Sequence, residues 1–123
     1  MFSTNLKLII SGVSFLVIFI AGFILHNNGK PYNIALFTLH KLVSIAVVIF
    51  LISTVIKIHR VTPLTSLQII LLALTALFFL ATVATGGMLS VDKVWPPIVS
   101  TLHKVLPFLT LVSTSASLYL LLF

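Results

Sequence analysis

The sequence predicts an all-α integral membrane protein, an up-down-up-down bundle of four transmembrane helices built from a duplicated helix pair. Three observations carry this. Of 123 residues, 60% are hydrophobic, and only seven Lys or Arg and one Asp or Glu are present, whereas a soluble domain has about a quarter of its residues charged. Four apolar runs are each long enough to cross a hydrocarbon core about 30 Å thick, which takes roughly 20 helical residues. The tetrapeptide Thr-Leu-His-Lys occurs at 38–41 and again at 101–104, 63 residues later.

The four runs extend from about Leu6 to Leu25, Ile34 to Ile58, Leu64 to Leu89 and Ile98 to Phe123. Lipid admits only helices or closed barrels, and none of the runs alternates as a strand would, so all four are expected to be helices. The separators HNNGKPYN, KIHRVTP and SVDKVWPP carry turn and polar residues. Loops this short between consecutive helices give antiparallel neighbours. The first run follows Lys7 as a signal peptide would. It is longer than a secretory apolar core and has no small-x-small cleavage site before His26, so it reads as a retained helix.

Composition also excludes functions. There is no cysteine, which removes disulfides and thiolate metal sites. The net charge of +6 is scattered rather than gathered into a tract, and no polar domain exists to present it, so nucleic acid is not an expected partner. Asp92 is the one acidic side chain, so catalysis by a carboxylate pair is excluded, and nothing positions a Ser-His-Asp set.

Placing residue n over residue n + 63 without a gap superposes Lys30 on Lys93, Tyr32 on Trp95, and Thr38 to Lys41 on Thr101 to Lys104. Ala21 falls on Ala84. Apolar matches mean little in such a chain, but matched lysines, aromatics and histidines are matches of scarce residues. They indicate two parallel repeats, about 1–61 and 64–123, related by an axis along the membrane normal. His40 then opens the second helix and His103 the fourth. The expectation is two imidazoles at one depth, facing each other across the bundle.

An ionisable side chain in a membrane span points to function. Neutral imidazole is a common iron ligand, and haem b takes one histidine on each side. The flat apolar macrocycle suits a bundle core, and its anionic propionates suit the membrane edge. Lys41 and Lys104 follow the two histidines, and Lys30 and Lys93 lie in the preceding loops on the same side. Gly22 beside Ala21, and Gly86 within Ala84-Thr85-Gly86-Gly87, either make room for the porphyrin or mediate close helix packing. One turn after the histidines come Ser44 and Pro107. Pro107 removes the N–H that would meet the His103 carbonyl and is expected to kink the fourth helix. His26 and His59 have no repeat partner. His26 ends the first helix and offers an alternative ligand; His59 belongs to a basic loop on the opposite side. Two other readings stand beside the haem. One is a haem-free accessory or scaffold subunit of a membrane complex. The other is a zinc- or copper-binding or transport protein using His26, His40, His103 and Asp92.

The stretch FTLHKLVSIAVVIFLISTVIKIHR has a histidine and lysine at the helix start and a basic residue closing the helix one membrane width later. It resembles the second helix of small bacterial membrane b-type cytochromes, the cytochrome b-561-like group. STLHKVLPFLTLVSTSASLYLLL resembles their fourth helix. The resemblance implies a four-helix membrane core with His-ligated haem b. It implies one-electron transfer between quinol-type or other small donors and acceptors. Members of that group carry further histidines and often a second haem. Here the far side offers only His59, so one haem is expected, with no electron path right across the bilayer.

The expected protein is therefore an electron-transfer protein or oxidoreductase subunit rather than a stand-alone enzyme. It would hold one haem b between His40 and His103, with Lys41, Lys104, Gly22 and Gly86 around it. A quinone or redox partner protein would exchange electrons with it. It would work among membrane lipids, as a homo-oligomer or complex subunit, in the bacterial plasma membrane. Propionates occupying some lysines of the TLHK side leave Lys57 and Arg60 to the positive-inside rule, which places both termini in the cytoplasm.

Overall fold

In the computed structural model, residues 3–123 are described; residues 1 and 2, which open the first expected repeat, lie outside the described residues. Four helices follow one another: α1 Thr4–Asn28, α2 Ile34–Val61, α3 Ser66–Ser90 and α4 Pro97–Leu122. Among the described residues there is no strand. All four are long and apolar enough to cross a membrane, and the protein is an integral membrane protein of the all-α class.

The ends of the helices are set by local chemistry. Ser3 caps α1 by accepting the Leu6 N–H on its hydroxyl at 3.2 Å, which starts the helix two residues earlier than expected. The polar His26-Asn27-Asn28 continues α1 rather than breaking it, because the left-handed turn comes only at Gly29, with φ 67° and its N–H on the Leu25 carbonyl. Asn33 caps α2 through its side-chain carbonyl, 3.0 Å from the Leu36 N–H. At the other end α2 takes in His59 and Arg60, and the Arg60 guanidinium suits the negative end of a helix dipole. The expected basic loop is therefore helix, up to the turn before Pro63. Thr65 and Gln68 form a reciprocal capping box that opens α3 at Ser66 rather than at Leu64. Pro97 at the first position opens α4, where its missing N–H costs nothing.

The chain divides into two compact units, one ending at Lys57 and the other running Ile58–Phe123, close to the boundary between the two expected repeats. In the first unit α1 and α2 are antiparallel. His40, near the start of α2, meets Ile18 and Gly22 in the second half of α1, and Lys7, near the start of α1, borders a groove with Lys57 near the end of α2. In the second unit α3 and α4 are antiparallel and joined by a ladder of polar contacts. Gln68 donates to the Leu120 carbonyl at 2.9 Å. The Thr75 hydroxyl meets those of Ser113 and Ser117. Thr82 meets Thr110 at 3.2 Å, and Thr85 meets His103 at 3.0 Å.

Burial is inverted relative to a water-soluble domain. Among the described residues the buried polar ones, including Ser11, Thr54, Thr75, Thr110, Ser113 and Thr114, outnumber the buried hydrophobic ones, while Ile9, Phe23, Leu42, Leu80 and Val112 are exposed. Lipid solvates leucine as well as a core does, so small polar residues that allow close backbones take the helix interfaces.

Candidate functional site

The two histidines singled out by the repeat are held in the same way, each within its own helix pair. His40 Nδ1 lies 3.0 Å from the carbonyl oxygen of Ile18. His103 Nδ1 lies 3.0 Å from the carbonyl oxygen of Thr82 and 3.0 Å from the Thr85 hydroxyl. A carbonyl only accepts, so Nδ1–H is the donor in both rings, and the basic lone pair is on Nε2. The Thr85 hydroxyl donates in turn to the backbone, with the Ala81 carbonyl at 2.9 Å and that of Thr82 at 3.0 Å. It therefore presents its oxygen to His103.

Each ring also lies on a glycine one turn beyond its acceptor carbonyl. A Cβ added at Gly22 would stand 3.0 Å from His40 Cε1, and one added at Gly86 would stand 2.7 Å from His103 Cε1. The second distance is closer than real side chains allow, so Gly86 is required by the ring. Both glycines therefore face the imidazole of the neighbouring helix.

This shared geometry fixes the correspondence between the pairs. The histidines are 63 residues apart, but their carbonyls (Ile18, Thr82) and glycines (Gly22, Gly86) are 64 apart. The ungapped register therefore holds for α2 against α4 and slips by one for α1 against α3. Ala21 corresponds to Thr85, not to Ala84. The connection from glycine to histidine is one residue shorter in the second pair.

Lys41 follows His40 and holds its ammonium 4.4 Å from the centre of the Phe37 ring. Lys30 stands 5.9 Å over Tyr32, and Lys93 stands 4.6 Å over Trp95. The two ammonium–aromatic pairs that matched in sequence are thus matched in contact as well. Lys104 is exposed. The Ser44 hydroxyl donates to the His40 carbonyl at 2.6 Å. At the corresponding place Pro107 sits inside α4 with no N–H to give the His103 carbonyl. His26 is exposed in the last turn of α1. His59 Nδ1 accepts the Leu64 N–H at 3.4 Å, tying the end of α2 to the chain after it.

Among the described residues no three of His, Cys, Asp and Glu come together, so a compact zinc or copper centre drawn from His26, His40, His103 and Asp92 is not seen. The acceptors of the imidazoles, Ile18, Thr82 and Thr85, carry no sequence signal of that role: two act through backbone carbonyls, and a threonine in an apolar helix does not announce its partner. The one clue is Thr85, which stands in the small-residue run 84–87. No family model, curated protein or solved structure matches the chain.

Proposed function

We propose that the chain is a b-type membrane cytochrome of the cytochrome b-561-like kind, in which His40 and His103 supply the two axial imidazoles of one haem b. The observation that carries this reading is the anchored Nδ1–H of each ring. A metal-ligating histidine characteristically donates its other ring N–H to a carbonyl or carboxylate, which selects the tautomer and orients the ring. Here both rings have that support, from equivalent carbonyls, in two helix pairs. Gly22 and Gly86 let each ring lie close against the neighbouring helix, and Lys41 and Lys104 are placed in sequence to neutralise the propionates. Haem b, when bound, supplies a one-electron couple whose potential the protein sets through ligand basicity and burial. With no polar domain of its own, the chain would exchange electrons with a quinone or a partner protein. The bacterial plasma membrane with both termini inside is the setting this implies, since Lys7, Lys57 and Arg60 then face the cytoplasm.

A reduced-minus-oxidised visible spectrum of the purified chain tests the reading. A Soret band with a sharp α-band is expected, altered or lost in both His40→Ala and His103→Ala. A colourless protein after haem supplementation overturns it. The same hydrogen bonds favour one other reading. His40 to Ile18 and His103 to Thr82 each join two helices of a pair, so the imidazoles could be staples in a haem-free scaffold subunit. That reading predicts a colourless wild type in which both substitutions loosen the fold.

A further inference from the structure

At the other end of the first helix pair from His40, one stripe of α2 is written as an amphiphile. Ala46, Ile49, Phe50, Ser53, Thr54 and Lys57 follow the i, i+3, i+4, i+7 spacing of a single helix face. Reading along it, the character changes from apolar to hydroxyl to ammonium. These residues, with Lys7 from α1, line an open groove of about 440 Å³. From residue 46 to residue 57 a helix rises about 16 Å, which is half of a hydrocarbon core about 30 Å thick. The groove is therefore one leaflet deep, with its two lysines at the rim.

The helix pair that carries the rim supplies no acidic side chain: the chain's single Asp or Glu is Asp92, after α3. The Thr54 hydroxyl is already committed to the Phe50 carbonyl at 2.9 Å, so the strong donors toward the rim are the two ammonium groups and the Ser53 hydroxyl. In the second pair the corresponding positions are bonded to α3. Ser113 and Ser117, equivalent to Phe50 and Thr54, are engaged by Thr75, and Leu120, equivalent to Lys57, gives its carbonyl to Gln68.

We infer that this groove binds one anionic phospholipid of the surrounding leaflet. Its phosphate sits between Lys7 and Lys57, and an acyl chain lies along Ser53, Phe50, Ile49 and Ala46. Basic pockets between membrane helices have this chemistry, and two lysines lining one groove favour a charged headgroup over a zwitterionic one.

The test uses the full chain in mild detergent, titrated with dioleoyl phosphatidylglycerol or dioleoyl phosphatidylcholine and read by native mass spectrometry. One phosphatidylglycerol per chain is expected, held about 30-fold more tightly than phosphatidylcholine, roughly fivefold for each lysine near an anionic headgroup. Lys7→Ala with Lys57→Ala should erase the preference, and Lys7→Arg with Lys57→Arg should keep it, which separates lost charge from lost folding. Ala46→Trp should weaken binding with the rim charges untouched, and Lys30→Ala with Lys93→Ala should change nothing. Equal retention of the two lipids overturns the inference. So does displacement of the lipid by millimolar inorganic phosphate, which would mark a site for the free anion. Occupation of the groove by a second copy of the chain also overturns it, seen as a lipid-free dimer that Ala46→Trp dissociates.

Discussion

The two helix pairs agree at the histidine end and part company away from it. Near the loop each places an imidazole on a glycine, with Nδ1–H given to a carbonyl of the partner helix. Over their whole length, the buried residues described for the first pair are mainly apolar, Phe15, Ala21, Leu25 and Val47, with Ser11 and Thr54 the polar ones. The second pair buries Thr75, Thr85, Thr110, Ser113, Thr114 and Ser117, with only Val99 and Leu118 apolar. At equivalent places Val47 faces the fate of Thr110, each 2% exposed, and Ser11 that of Thr75. The same backbone positions are buried while the chemistry filling them has changed from dispersion contacts to hydroxyl pairs. Helix packing in lipid accepts either solution, because neither is driven by exclusion of water. At the histidine seat the imidazole, its acceptor carbonyl and its glycine are kept in both pairs, and only the addition of the Thr85 hydroxyl in place of Ala21 follows the exchange.

Substitutions at equivalent positions break or sharpen that contrast. The largest difference is expected between Gly86→Ala and Gly22→Ala. At Gly86 the new methyl must push the His103 ring aside, and overpacking of about 1–3 kcal/mol outweighs a helix-propensity gain of about 1 kcal/mol. At Gly22 the His40 ring need give only a few tenths of an ångström, so gain and cost of about 1 kcal/mol cancel. Thermal unfolding in detergent should show a clear loss for the first and almost none for the second. Equal losses would mean that the two glycines are equally tight against their rings.

Next come Thr75→Val and Ser11→Ala, with opposite signs. Thr75 bridges two hydroxyls of α4, and its loss should cost about 1 kcal/mol, at about 0.6 kcal/mol for each interhelical bond. The buried Ser11 hydroxyl has no hydrogen-bond partner, so removing it should stabilise by up to about 1 kcal/mol. Denaturant titration of both variants reads the signs directly. The smallest pair is Ser44→Ala and Pro107→Ala. The first removes a hydroxyl bond within α2 to the His40 carbonyl, and the better helix propensity of alanine should leave the net change under about 0.5 kcal/mol. The second returns a backbone N–H to the His103 carbonyl and should stabilise by about 1 kcal/mol. A shift of the His103 ring resonances, with those of His40 unmoved, would show that Pro107 aims its own histidine only.

Much of this is legible in the sequence. In a chain with so few polar residues, a repeated Thr-Leu-His-Lys and its lysine–aromatic forerunners identify equivalent positions of α2 and α4 because scarcity makes coincidence costly. The same logic fails for α1 and α3, whose scarce residues, among them Lys7, His26 and Gln68, do not match one another. There the chance match of Ala21 with Ala84 hid a one-residue slip, and each residue of slip turns the helix face by about 100°. The helix ends were misjudged at His26–Asn28 and at His59–Arg60 because polarity reads as a break, whereas caps and dipoles decide where a helix stops. The hydroxyl ladder of the second pair was invisible because Ser and Thr scattered through leucine do not say which face they share.

The ammonium–ring pairs before α2 and α4 have one more consequence. Lys30 on Tyr32 and Lys93 on Trp95 mark a waterline, since aromatic rings and lysines ride at the headgroup level. From Ile34 to His40 and from Pro97 to His103 each chain climbs six residues, about 9 Å of helix. Each imidazole therefore hangs at the same draught below its own waterline. A bilayer that thins by a few ångströms draws water toward both rings alike, so membrane thickness becomes a lever on their environment that no single substitution can pull on one side alone.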